Sequence, residues 1–392
     1  MIFTTFSYFL FLIPAALLFR ATGPWFRPWV LVASGVLFFL YFSVTEFAGW
    51  MGAACIAIFI WEALLSRFYT SRSRWCLLGV AVSVGILAVF KYWNFLTGLA
   101  TAGGANRWAW HGAFLPLGIS FFTFEFIHYA VDRYHSRVER GTLGEYLAFI
   151  FFFPTLVAGP IKRFQYFVTG LRSPSRDWPL DWNRGITRIL VGLVKKFGVA
   201  DVLSSLTVHL NAADIPHASR PVLLLWLLAY AGKIYFDFSA YSDIAIGSGR
   251  LFGFAIPENF DWPYFRTNIA DFWRNWHRSL TRWLTDYVFI PLGGSRAGRW
   301  RVSANVMTTM LVSGLWHGAS LNFLVWGAWH GGLLVIHRWW VTRRGSRPAA
   351  PPTALGRFSS WAATFAAVTC GWAFFAMDLP TAALYFRQLI FG

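Results

Sequence analysis

Charge is what this chain has least of. Lys, Arg, Asp and Glu make up 13% of its 392 residues, whereas soluble globular chains carry roughly 25%. That shortage excludes an ordinary water-soluble domain. Acidic residues are scarcer still, 17 against 34 basic ones, for a formal net charge of +17. The three cysteines, Cys55, Cys76 and Cys370, lie far apart in apolar stretches without a CxxC pair. Neither a disulfide framework nor a structural zinc site is supported, and each reads as a small core residue. There is no HExxH, no His/Cys cluster at metal spacing, no GxSxG elbow, no Walker A loop and no dinucleotide fingerprint. Hydrolase, ATPase and dehydrogenase readings therefore have no support, and no resident metal is expected. Also missing are the short segments of alternating polarity that an outer-membrane barrel needs, and the internal repeat common in transporters.

What is present is apolar and aromatic. Hydrophobic residues reach 57% and aromatics 20%, with 41 Phe and 23 Trp, and mean hydropathy is +0.49. The reading is an all-α, polytopic membrane protein. A span needs about twenty apolar residues. The candidates are Ile2–Phe19, Trp29–Tyr41, Phe47–Leu65, Trp75–Phe90, Phe114–Ala130 and Tyr146–Ala158, then Ile186–Leu203, Pro221–Phe238, Val302–Trp316, Leu321–His337 and Phe358–Met377, with Thr381–Phe391 as a half-span. Several are too short to cross alone, so broken or re-entrant helices are expected, buried in protein or beside a polar cavity. The first twenty residues lack a basic n-region and a small-x-small cleavage site, and read as a retained first helix.

The basic residues lie mostly between apolar runs, which makes them a topology signal rather than a nucleic-acid surface. They also suit anionic lipid headgroups. Arg20 and Arg27 follow the first span, Arg67, Arg72 and Arg74 the third, and Arg133, Arg137 and Arg140 the fifth, while only Glu46 lies between the second and third. Positive-inside reasoning puts those basic loops in the cytoplasm and the N-terminus outside. Arg172 to Arg184 reads as a surface loop, and residues 343–352 as a basic, proline-rich link. Residues 1–392 are treated as one membrane domain.

Ionisable groups inside a membrane protein are functional-site hypotheses by default, and they concentrate in residues 235–332. His317, in GLWHGAS, ends an apolar run without charge from Val302. Burial there would keep its imidazole neutral, as a general base requires, and its glycine neighbours would let a substrate approach closely. A structural histidine at a helix end is the other reading. His277 lies in DFWRNWHRSLTRWL; on a helix, Trp273, His277, Leu280 and Leu284 would share a face beside a stripe of Arg274, Arg278 and Arg282. That pattern suits an anionic ligand such as a phosphate, or an interfacial amphipathic helix. His330 and His337 read as core or helix-packing residues. Glu125, His128 and Asp132 share a helical face and are expected to pair among themselves. Asp237, Ser239, Tyr241 and Asp243 form a polar knot after an apolar run, suited to holding arginines or orienting a histidine. Gly293–Gly294–Ser295 reads as a turn.

Taken in order, the blocks LPLGISFFTFEFIHYAVDRY, FFFPTLVAGPIKRF, YFDFSAYSDIAIGSGRLFGF, PENF, DFWRNWHRSLTRWLTDYVFIPLGGSR and GLWHGASLNFLVWGAWHG resemble the signature regions of membrane-bound O-acyltransferases. The likeness covers roughly residues 1–340 and is strongest to the bacterial alginate O-acetyltransferase branch. It implies about 10–12 transmembrane or half-spanning helices around a catalytic tunnel in a bacterial inner membrane. It implies no bound cofactor, but an acyl thioester substrate on the cytoplasmic side, acetyl-CoA or an acyl carrier protein. The acceptor would be a hydroxyl of a cell-envelope or exported polysaccharide, or a periplasmic or extracellular acetyltransferase partner.

The family's catalytic histidine falls on His317 and its other motif histidine on His277. His317 would act as base, and His277 would orient or polarise the thioester. Asp243, Asp271, Trp276 and Trp316 would support them, and Arg274, Arg278 and Arg282 would hold donor phosphates. The region after Arg347 is short for the alginate branch and nearer in length to the D-alanyl transfer proteins of teichoic acid modification, whereas IPLGGSR resembles the polysaccharide O-acetylation branch. D-alanyl transfer from a carrier-protein thioester is thus the second reading, and a non-catalytic transporter the third.

Overall fold

Long apolar stretches become helices because backbone facing hydrocarbon must satisfy its N–H and C=O groups internally. The computed structural model describes residues 2–46, 49–101, 108–110, 116–157, 159–174, 177–344 and 353–392. Among the described residues every regular element is helical, and there is no strand. Arg74–Ala100, Arg220–Leu251 and Ala354–Ala376 are each long and apolar enough to cross a membrane, and Phe6–Ala21 and Arg27–Tyr41 are shorter apolar helices.

Most of the other expected spans exist as helices that are shorter or interrupted. Gly49–Leu65 matches the third expected span, whose residues 47 and 48 lie outside the described chain. The fifth begins at Ile119 in the structure; its residues 114 and 115 are likewise outside. Tyr146–Ala158 is two pieces, Leu143–Ile150 and Phe153–Leu156, divided at Phe151–Phe152 with Pro154 opening the second; residue 158 is not described. The expected loop Arg172–Arg184 is partly helical. The helix Trp178–Leu193 starts inside it, where the Asp177 side chain accepts the Leu180 N–H at 3.2 Å. Pro179 sits in the first turn, where its missing N–H costs no helical bond. Of the basic link, residues 345–352 lie outside the described chain.

The described chain falls into two compact units, Met1–Leu193 with Tyr241–Glu258, and Val194–Ala240 with Asn259–Gly392. The helix Arg220–Leu251 contributes to both. It absorbs the whole YFDFSAYSD knot, so Asp237 and Asp243 are interior helical residues rather than a polar end to a span.

The first unit has a phenylalanine-rich core. Phe59 packs edge-to-face on Phe122 (4.7 Å) and Phe151 (5.0 Å), and Phe167 stacks on Phe254 at 4.7 Å. Several of its buried polar groups have partners outside the helix Ile119–Tyr134. Glu125 pairs with buried Lys162, His128 Nε2 accepts the Phe164 N–H at 3.1 Å, and Asp132 lies 3.7 Å from Arg137. The expected pairing among these three is therefore corrected. Lys162 and Phe164 come from one neighbouring segment and Arg137 from the turn after the helix itself, whereas two carboxylates on one face repel.

Candidate active site

The second unit builds its site where two helices meet at a glycine seam. The helix Arg299–His317 packs on Leu321–Arg344 through Gly314, Gly327 and Gly331. A Cβ at Gly314 would come within 2.2 Å of the Phe323 carbonyl oxygen, and one at Gly327 within 2.5 Å of the Met310 carbonyl oxygen. Small residues let helix backbones approach this closely. A Cβ at Gly318 would stand 2.1 Å from the Phe323 ring. The glycines around His317 thus admit a neighbouring helix and its Phe323, which corrects the expectation that they leave room for a substrate.

The seam leaves His317 as the last residue of its helix, half-buried, with Gly318 already extended. Its ring meets Trp316 at 4.8 Å, Phe375 at 4.9 Å and Trp326 at 5.1 Å between centroids. Trp326 is fully buried, and its far side meets His330 at 5.0 Å and Trp273 at 5.6 Å.

His277 is not on a continuous helix. The segment divides into Ile269–Asn275 and Arg278–Leu284, and His277 sits at the break with φ 42° and ψ 54°. That left-handed conformation is uncommon for a residue with a side chain, and strain of this kind persists only where surroundings hold it. Here buried Asn259, from the PENF block, does the holding. Its carbonyl accepts the Arg278 N–H at 2.9 Å, and its side-chain oxygen accepts the Ser279 hydroxyl at 2.6 Å. The Asp261 N–H also donates to the Asn275 carbonyl at 3.1 Å.

The outcome is an imidazole only 1% exposed, 4.6 Å from Phe238 and 5.9 Å from Trp316. Among the described residues neither ring nitrogen has a hydrogen-bond partner. Burial pushes its pKa down to about 3, so the ring is neutral near pH 7. Trp316 is the shared wall: it touches His277 on one side and His317 on the other.

The remaining candidates scatter. Trp276 is buried in the same aromatic cluster, 4.9 Å from Trp372 and 5.1 Å from Phe260. Asp271 sits in the first turn of Ile269–Asn275, where its N–H donates to the Asn268 side chain at 2.8 Å and its carboxylate takes the Arg274 guanidinium at 2.5 Å. Arg274 and Arg282 are exposed and Arg278 is half-buried. Because the helix breaks at His277, Arg274 lies on a different element from Arg278 and Arg282, and the expected single stripe does not form. Asp243 belongs to the first unit, where its buried carboxylate takes Arg188 at 2.6 Å. Asp237, in the second, takes Lys196 at 2.9 Å. Gly293 and Gly294 form the expected turn, both at positive φ. Among the described residues no group of three or more His, Cys, Asp or Glu could hold a metal. Sequence reasoning did not single out Asn259, Trp326 or Phe375. Asn259 and Trp326 lay in quoted blocks, whereas Phe375 sits in an apolar run without a distinguishing signal.

A half-buried histidine beside a second, neutral one in an aromatic enclosure suits proton transfer from a neutral nucleophile. The comparisons with known proteins agree with that chemistry. Residues 132–377 match the model of the membrane-bound O-acyltransferase family. The chain is 36% identical to the probable alginate O-acetylase AlgI of Pseudomonas putida, over 98% of this chain and 79% of that protein. It is 30% identical to the peptidoglycan O-acetyltransferase of Helicobacter pylori, over 94% of this chain and 75% of that one. The teichoic acid D-alanyltransferase of Streptococcus thermophilus is 32% identical over 58% of each chain.

Proposed function

The chain belongs to the membrane-bound O-acyltransferase family and is a polytopic membrane acyltransferase, and from that premise we propose that it moves an acetyl group from a cytoplasmic thioester across the inner membrane. The donor is acetyl-CoA or an acyl carrier protein. The acceptor is a hydroxyl of a cell-envelope or exported polysaccharide, or of a periplasmic partner that completes the transfer. The relatives named as alginate and peptidoglycan O-acetylating proteins support this reading.

The observation that carries it is the placement of His317 at a helix terminus, with Trp316 between it and the neutral imidazole of His277. His317 acts as general base. One of its ring nitrogens takes the acceptor's hydroxyl proton as that oxygen attacks the thioester carbonyl; the C–S bond then breaks, and the imidazolium returns the proton to the departing thiolate. Such a base contributes about 10²–10⁴-fold. His277, locked by Asn259, orients the thioester. The exposed Arg274 and Arg282 with half-buried Arg278 are the proposed contacts for donor phosphates, with Asp271 fixing Arg274.

Purified protein in lipid nanodiscs, supplied with labelled acetyl-CoA and an oligosaccharide acceptor, tests the proposal. Wild type should consume thioester and label the acceptor, and His317→Ala should do neither while remaining folded. Substantial transfer by the Ala variant would refute the assignment. Labelling from an aminoacylated carrier but not from acetyl-CoA would favour D-alanyl transfer, the reading suggested by the teichoic acid relative.

A further inference from the structure

In the first unit lies a cleft of about 820 Å³ lined by Arg20, Arg27, Arg172 and Trp178, with Leu17 also in its lining. No acidic residue is among its lining residues. The carboxylates that serve it stand behind the wall. Buried Asp181 takes Arg20 at 2.9 Å, and buried Glu145 takes Arg172 at 2.6 Å. Arg27 makes no ion pair among the described residues: its Nε donates to the Thr22 carbonyl at 3.2 Å, and its guanidinium lies 5.7 Å from the Phe19 ring centroid. The cleft therefore presents three guanidinium groups and carries an uncompensated positive charge at Arg27.

What leads into it is apolar. Phe6, Leu10, Ile13 and Leu17 are all exposed and follow one another at helical spacing along Phe6–Ala21. The opposite face is buried, through Tyr8, Leu12, Ala15, Ala16 and Phe19. At a rise of about 1.5 Å per residue the exposed stripe is roughly 16 Å long, close to half of the ~30 Å hydrocarbon core. It ends at Leu17, which itself lines the cleft. Around the mouth, Trp25 (88% exposed), Trp29 and Trp178 point outward. Tryptophan gathers at the headgroup level of a bilayer.

We propose that this cleft is a binding site for an anionic phospholipid. One acyl chain lies along Phe6–Leu17, and the headgroup phosphate is held by Arg27 with Arg20 and Arg172. Guanidinium groups suit phosphate because their planar donors engage two oxygens at once. A soluble phosphate ester would meet the same arginines but would gain nothing from the exposed stripe, which is why the lipid is the favoured source.

Native mass spectrometry tests this, on protein taken from nanodiscs made of phosphatidylglycerol and phosphatidylcholine with identical acyl chains. Wild type should retain phosphatidylglycerol preferentially, and Arg27→Glu should abolish the preference, since each basic contact at a membrane surface is worth about fivefold. Arg27→Ala carries the same test should the Glu variant fold poorly, and should reduce the preference by a similar factor. Equal retention of the two lipids by wild type, or an unchanged preference in both variants, would overturn the proposal. Displacement of the lipid by millimolar coenzyme A or inorganic phosphate would reassign the cleft to a soluble phosphate. None of these readouts depends on acyl transfer.

Discussion

In the first unit His128 is buried and its Nε2 accepts a backbone N–H, whereas in the second His277 and His330 are equally buried and, among the described residues, neither ring has a partner on either nitrogen. Carboxylates do not divide this way, because they are paired in both units, Asp237 with Lys196 and Asp271 with Arg274 in the second. Glu125, Glu145, Asp181 and Asp243 in the first unit each meet Lys or Arg, and buried Glu62 accepts from the Tyr69 hydroxyl at 2.8 Å. Leaving a buried polar group unpaired costs about 1–3 kcal/mol. Unpartnered atoms occur in both units, Glu125 Oε2 among those of the first, but among the described residues the two imidazoles bare on both nitrogens, His277 and His330, lie in the second. The bare rings also share their surroundings: Trp326 lies between His317 and His330, and Trp316 between His277 and His317.

The contrast can be broken most sharply at His317. His317→Ala should lower acyl transfer about 10²–10⁴-fold without moving the thermal unfolding midpoint in detergent, a pattern opposite to that of any pairing residue in the first unit. Lys162→Met should show that opposite pattern. It leaves Glu125 buried without its cation and should cost about 3–5 kcal/mol of stability, read as loss of folded protein on heating. The double replacement with Glu125→Leu should recover most of that loss.

Gly314→Ala probes how the seam positions the base. The added methyl meets the Phe323 carbonyl, which is backbone and cannot turn aside, so the end of the helix must shift. A displacement near 1 Å can cost roughly 10²-fold in rate, measured as a fall in kcat with donor KM little changed.

The smaller effects sharpen the comparison. Burial holds His277 at about 3, below the ~6.5 of a free imidazole. The unfolded chain therefore binds a proton that the folded chain refuses at mildly acid pH. This site's contribution to stability is complete above pH ~6.5 and is lost progressively as pH falls toward 3. His277→Phe should consequently lose less stability than wild type between neutral and acid pH, in paired thermal melts. His330→Phe should change least. It removes two unpartnered nitrogens and keeps a ring between Trp273 and Trp326, so stability should hold or rise slightly and transfer should persist. Loss of transfer in that variant would move His330 into the catalytic set.

Much of this could be read before any coordinates. The helices Phe6–Ala21, Gly49–Leu65 and Ala354–Ala376 fall where apolar runs were expected, with ends shifted by up to four residues, and the motif blocks pointed at His317 and His277. What the pattern misread was local geometry. DFWRNWHRSLTRWL has helical periodicity throughout, yet it breaks at His277 because Asn259, distant in sequence, captures the Arg278 N–H and the Ser279 hydroxyl. Glu125 and Asp132 looked like partners of His128 because they share a face, but Glu125 meets Lys162, Asp132 lies near Arg137 and His128 takes the Phe164 N–H. The glycines of GLWHG suggested space, and the structure fills that space with Phe323.

The sequence alone determined that this chain is a helical membrane protein and which histidines to watch. Desolvation penalties act on composition and run length, and signature residues are local in the chain. The tertiary structure alone decided which buried groups are paired and which are bare, and it broke the helix at His277 to turn that ring toward Trp316. It also set a glycine seam behind His317. Those outcomes depend on atoms brought together from distant segments, where hydrogen bonds and van der Waals contact act over a few ångströms and leave no period in the sequence.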